Sequence, residues 1–159
     1  DIIEHLFQRY EERMDSALVE PEGRLPNLED IWLQLHLVFE CIWDYRFLYR
    51  DLVDILSRNR HLRLRFARIL KRAAGNASEV MRGMVRAGSM RASAAEIEGT
   101  ATNILVLATF WLNYASVRGD RDEQESIRLG IVQVMFLVAP FLRDEERLHL
   151  NTLSQAYLR

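Results

Sequence analysis

Along most of this chain apolar residues return every third or fourth position, the spacing that lays them on one side of an α-helix. Ile3, Leu6, Phe7, Tyr10, Met14, Ala17 and Leu18 mark a first helix that begins at the chain start. "VEPEGRLPN", residues 19–27, ends it with two prolines and a glycine, because proline brings no N–H to a helix interior. Asn27 then reads as an N-cap, with Glu29 and Asp30 in the first turn, where acidic groups favour the positive end of the helix dipole. This second helix runs to about Tyr45. "YRFLYRDLVDILSR", residues 45–58, reads as a short third helix that stops near Asn59. A long fourth follows from about Arg60 to Ala87, with Leu62, Phe66, Ile69, Leu70, Ala73, Ala77, Val80, Met81 and Met84 in register. "GSMRAS" breaks the chain. Ser93 and Glu96 form a capping box for a fifth helix, which Gly119 ends as a C-cap glycine. Asp120 and Asp122 lead into a sixth helix, about Glu123 to Leu142, with Pro140 in its last turn, and a short seventh closes the chain. No stretch alternates with the period of a strand. The pattern predicts an all-α fold, a multi-helix bundle of about seven helices.

Composition agrees. The 159 residues hold only three Pro and seven Gly, too few interruptions for anything but long helices. One domain of this length buries enough surface to hold a core without cross-links. The formal net charge of −2 gives no overall basic character for nucleic acid to recognise. Cys41 is the only cysteine, so the chain has no internal disulfide, which fits a reducing, cytoplasmic setting. Residues 99–117 carry no formal charge, about the length of a membrane span. Thr102, Asn103, Thr109, Asn113, Tyr114 and Ser116 interrupt that stretch, so a helix buried by protein, with no membrane, is the expected state.

Reactive groups do not converge. His5, His36, His61 and His149 are scattered, and Glu146 with His149 makes a single Glu-x-x-His, where a di-iron bundle needs two such pairs and two further glutamates. Glu40 and Asp44 sit one turn apart, as carboxylates on a solvated stripe often do. No phosphate-cradling glycine loop, nucleophile elbow or zinc spacing occurs. No catalytic residue, metal ligand or cofactor is therefore expected. The basic run "SRNRHLRLRFARILKR", residues 57–72, sets Arg58, Arg65, Arg68 and Arg72 away from the apolar stripe of its helix, as a solvated face would.

Two helices carry more information. On the second, Trp32, His36, Phe39 and Trp43 fall within a narrow sector. They form either a core with a satisfied histidine or an aromatic pocket with a polar anchor, the usual make-up of a small-molecule site. On the fifth, Asn103, Leu107, Phe110 and Tyr114 align, with Thr109 and Asn113 beside them. Buried polar groups of that kind have to pair with protein, water or ligand. These positions predict a cavity lined by His36, Phe39, Trp43, Phe47, Phe66, Asn103, Phe110, Asn113 and Tyr114, taking an apolar or aromatic effector. Ala101, Ala108 and Ala115 form a separate small-residue stripe, and Gly130 sits in the uncharged "LGIVQVMFLVAPFL", residues 129–142. Two helices apolar nearly all round in so short a chain call for a partner. The predicted homodimer interface is Ala101, Ala108, Ala115, Ile127, Gly130, Ile131, Val134, Val138 and Phe141.

Three stretches point to a family. "DIIEHLFQRY", residues 1–10, resembles the helix that directly follows the helix-turn-helix in TetR-family transcriptional regulators. "YRFLYRDLVDIL", residues 45–56, resembles a segment recurrent in one subgroup. "TFWLNYASVRGD", residues 109–120, resembles that subgroup's long interface helix. As a helix pattern the resemblance spans the chain. It implies that residues 1–159 are an effector-binding and dimerisation domain, with 1–18 as the linker helix and 94–143 as the dimerisation helices. The DNA-reading domain would lie outside this sequence, so operator DNA would be met only through that domain. The resemblance further implies a small, usually apolar ligand among helices two to five, whose entry moves the first helix and alters the spacing of two recognition helices on fixed half-sites. Two rivals remain: a helical-bundle enzyme using Glu40, Asp44 and His36 as acid and base, and a helical adaptor binding another protein through helices five and six.

Overall fold

The computed structural model describes residues 1–158, apart from the side chain of Glu123. The described residues form eight α-helices and one 3-10 turn: α1 (Ile2–Ala17), α2 (Leu28–Asp44), α3 (Arg46–Arg50), α4 (Leu52–Arg58), α5 (Arg60–Ala87), α6 (Ala94–Arg118), α7 (Glu123–Val138), the turn Ala139–Phe141, and α8 (Asp144–Tyr157). The start and stop signals act as read. Asn27 accepts from the Asp30 N–H at 3.0 Å while the Asp30 carboxylate accepts from the Asn27 N–H at 2.8 Å. Ser93 and Glu96 repeat that reciprocal pair at 3.1 and 2.9 Å. Gly119 ends α6 at φ +87°, a left-handed conformation open to glycine at no steric penalty.

Two elements differ from expectation. The third helix divides at Asp51, whose φ/ψ of −114°/27° lies outside the helical region. The apolar spacing runs on through the break, so periodicity gives no sign of it. The sixth helix stops at Val138 rather than near Leu142, because Pro140 cannot donate an i→i−4 hydrogen bond, and the chain tightens into the 3-10 turn instead.

The core has two lobes. Phe7, Tyr10 and Met14 of α1 pack with Leu48, Tyr49, Leu62 and Phe66 in one. Leu28, Ile31 and Phe39 of α2 pack with Met84, Trp111, Ile131, Val134 and Val138 in the other. α5, at 28 residues and so about 42 Å long, runs past both. In the second lobe Gly130 is a contact point. A Cβ there would lie 2.6 Å from Phe39 Cε1 and 2.8 Å from Trp111 Nε1, and the Trp111 indole N–H donates to the Ser126 carbonyl at 2.8 Å.

That packing corrects the expected phase of α6 and α7. Ala101 and Ala115 are buried and Ala108 is partly buried inside this chain, not on its surface. Gly130, Ile131, Val134 and Val138 are buried in the second lobe, and Ile127 and Phe141 pack against it. The small-residue stripe lets α6 approach its own neighbours. The faces left open are the opposite ones: Val106, Phe110, Tyr114 and Val117 on α6, and Phe136 on α7, are all at least 43% exposed.

α1 lies against the body through side chains. Glu11 pairs with Arg65 of α5, Asp15 with Arg72 of α5, and Arg13 with Asp44 of α2. Arg58 pairs with Asp54. Three of the four arginines read as a solvated face are thus engaged with acids, and Arg68 is exposed.

Candidate functional site

Between α1, α2, α5 and α6, where the two lobes meet, the side chains leave a cavity of about 100 Å³. Met14 of α1 and Leu18 at its C-cap, Ile31 and Leu35 of α2, and Ile69 and Val80 of α5 supply aliphatic walls. Ala73 and Ala77 of α5 and Ala108 of α6 also line it, and side chains this short cannot reach across to close the gap. None of the residues around this space is Asp, Glu, Lys, Arg or His.

Five residues give it polar points. Gln34, Asn76 and Thr109 lie along its length, and Tyr10 and Tyr49 lie at the α1–α3 end. The two tyrosine hydroxyls are hydrogen-bonded to each other. Burial, and then the neighbouring phenol, hold the Tyr10 hydroxyl protonated far above the ordinary range; burial also raises Tyr49. Edge-on contacts from Tyr45 and Tyr49 and a stacked Phe66 enclose the Tyr10 ring. The Gln34 amide donates to the Ala17 carbonyl at 3.3 Å, one that the end of α1 leaves open, and to the Val19 carbonyl just beyond it at 3.2 Å.

Of the nine residues predicted to line a cavity, Phe66 lines this one. Phe39 is buried in the second lobe against the Gly130 notch. His36 is half-buried and meets the Tyr157 hydroxyl at 3.3 Å, with Tyr157 edge-on to both His36 and Trp32. It anchors α8 on α2, which is the core alternative for this histidine, and burial lowers its pKa. Trp43 lies under the Arg46 and Arg50 guanidinium groups. Asn113 donates to the Arg50 carbonyl at 3.2 Å. Phe47, Asn103, Phe110 and Tyr114 are exposed. The structure does not bring the nine together. The lining residues that reasoning passed over are mostly aliphatic or small, with Tyr10, Tyr49, Gln34 and Asn76 among them, and the usable signals were Gln34 on the inward side of α2 and the alanine-rich run of α5.

The proposed acid–base trio does not converge either. Asp44 is ion-paired to Arg13, Glu40 is exposed, and neither lines the cavity. Cys41 is fully buried with its thiol pushed up to about 12 by burial. Among the described residues no group of three or more His, Cys, Asp or Glu side chains could hold a metal ion, and no helix is long and apolar enough to cross a membrane.

Comparison with known proteins places this architecture. Residues 9–150 match the family model TetR, described as a bacterial transcriptional repressor. The crystal structure of a TetR-family transcriptional regulator from Marinobacter aquaeolei VT8 is similar at TM-score 0.89 and 29% sequence identity, over 100% of this chain and 77% of that one. No curated protein matches.

Proposed function

The chain belongs to the TetR family of transcriptional regulators, and on that premise we propose that residues 1–159 are the small-molecule-sensing and dimerisation domain of such a regulator, controlling a DNA-reading unit through α1. The observation that carries this reading is the cavity, one wall of which is α1 itself through Tyr10 and Met14, with its C-cap Leu18. A ligand lodged there lies against the helix that would transmit its presence. It acts as a signal only because it binds one placement of α1 better than another. In a two-fold regulator a small displacement of that helix changes the spacing of paired reading heads, and operator half-sites have fixed spacing. Repression relieved by the ligand is the outcome that fits.

The open faces of α6 and α7 support the pairing. Val106, Phe110, Tyr114 and Val117, with Phe136 on the neighbouring helix, leave large apolar side chains in water, where a self-complementary contact would bury them. A four-helix bundle formed with a second copy should bury at least roughly 1,500 Å² in total. Native mass spectrometry of the purified domain tests both halves at once. The expected spectrum has a dimer mass with a retained small molecule, released on denaturation. A monomer that holds nothing and gains no stability from any member of a neutral-compound library would overturn the reading.

A further inference from the structure

Three of the cavity's five polar residues are also the hydrogen-bonding fasteners of α1. Tyr10 of α1 is tied to Tyr49 of α3 at one end, and Gln34 of α2 holds the Ala17 and Val19 carbonyls at the other. Along α1, Tyr10 and Ala17 are seven residues apart, about 10 Å. We infer that the cavity takes an uncharged, elongated, mainly apolar molecule with a hydrogen-bond acceptor at the end that meets the Tyr10–Tyr49 pair, and that this contact couples occupancy to α1. The inference rests on the small-molecule reading above and adds the ligand's class and its point of leverage.

A phenol brings one proton. When two phenols bond to each other, one O–H is used within the pair and the other still needs an acceptor. Among the described residues the pair's only hydrogen bond is the mutual one, so a donor stands ready beside the cavity. A carbonyl or ether oxygen satisfies it. A carboxylate or an ammonium does not belong there, because no residue around the space carries an opposite charge and burial would strip its water uncompensated. The response reaches α1 because the Tyr10 ring is enclosed by Tyr45, Tyr49 and Phe66. Its oxygen is therefore fixed, and although the proton turns freely about the C–O bond, a ligand oxygen that competes for the bond to Tyr49 loosens a tie between α1 and α3.

The test uses three probes built on a ten-carbon chain, applied to the whole protein: 2-decanone, its isostere 2-methyl-1-decene, which has a methylene in place of the acceptor oxygen, and decanoate. Binding is read by titration calorimetry and the response of α1 by amide hydrogen exchange over residues 10–17. Decanoate should bind at least about tenfold more weakly than the ketone. The ketone-to-alkene affinity ratio should fall about tenfold from wild type to Tyr10→Phe/Tyr49→Phe. With Tyr49→Phe alone the ratio should hold, since the remaining Tyr10 hydroxyl then has its proton free to donate. In wild type the ketone should change α1 exchange and the alkene should not, a readout that decides the matter even if the double variant fails to fold. If the ratio is the same in wild type and double variant, or both neutral probes change α1 alike, the acceptor contact is wrong while the small-molecule site stands. If neither neutral probe binds, this ligand class is wrong and the small-molecule reading falls back on the library screen above.

Discussion

The two sides of α6 differ in a way that amino-acid type alone misrepresents. One side carries Ala101, Ala108 and Ala115 and is packed inside the chain; the other carries Val106, Phe110, Tyr114 and Val117 and stands in water. A small-residue stripe invites close approach by some helix without saying whose. Here α5 and α7 of the same chain take that place, and the bulky residues are left for another surface. Residue size reports how near a neighbour comes; burial depends on which neighbours the topology supplies.

That contrast can be broken most sharply at Val134. If α7 faces inward there, Val134→Arg buries an unpaired cation beside Ile131 and Val138. The loss should exceed about 4 kcal/mol, enough to leave little folded protein. Circular dichroism would show it, and a well-folded Val134→Arg monomer would return this face to the exterior. On the open side, Phe110→Arg should keep the helical signal and raise the dimer dissociation constant at least about 100-fold. Sedimentation velocity across micromolar concentrations reads that change. A wild-type chain that is already a stable monomer would remove the interface. A finer probe is Gly130→Ala. Its Cβ would meet Phe39 and Trp111 at 2.6 and 2.8 Å, and the crowding should lower stability by about 1–3 kcal/mol in urea melts. An unchanged midpoint would mean that the contact relaxes freely.

The smallest effect concerns the second helix, where the imidazole proved to be a packing anchor. Burial sets the His36 pKa below its ordinary 6.5, so the unfolded chain binds the proton more readily than the folded one. Its contribution to stability is full above the unfolded value and is lost as pH falls through 6.5 toward the lower folded value. His36→Gln should flatten stability between pH 7 and 5.5 by a few tenths of a kcal/mol, seen as a smaller shift of the thermal midpoint. An identical pH profile would show that the ring is free to charge in place.

Much of the fold was legible because its signals are local. The capping boxes at Asn27 and Ser93, the glycine at 119 and the proline-rich segment after α1 each act within a few residues of themselves. The cavity was not legible, for a physical reason. It lies where Ala73, Ala77 and Ala108 are too short to fill the space facing α2, so no residue type announces it; it is a mismatch between elements far apart in sequence. Large aromatics drew attention to α2 and α6, yet Phe39 plugs the core and Phe110 stands in water. Only Phe66, on the long α5, belonged both to the expected set and to the site. The inward phase of α6 and α7 was equally hidden, because both helices are apolar on opposite sides and periodicity cannot choose between two such faces.

Gly130 has a mechanical consequence. The notch it leaves receives a ring edge from α2 and an indole from α6, and the same indole is tethered to Ser126 in the first turn of α7. Three helices are therefore keyed together at one point, so that none can slide or turn without lifting out of the notch. They form the chassis. α1, by contrast, packs Phe7, Tyr10 and Met14 into the first lobe, and its polar ties are ion pairs along its flanks and hydrogen bonds near its middle and end, joints that can be undone one at a time. Under the proposed function, displacement within this domain would thereby be channelled: the keyed helices would hold their register, and the stroke would belong to α1.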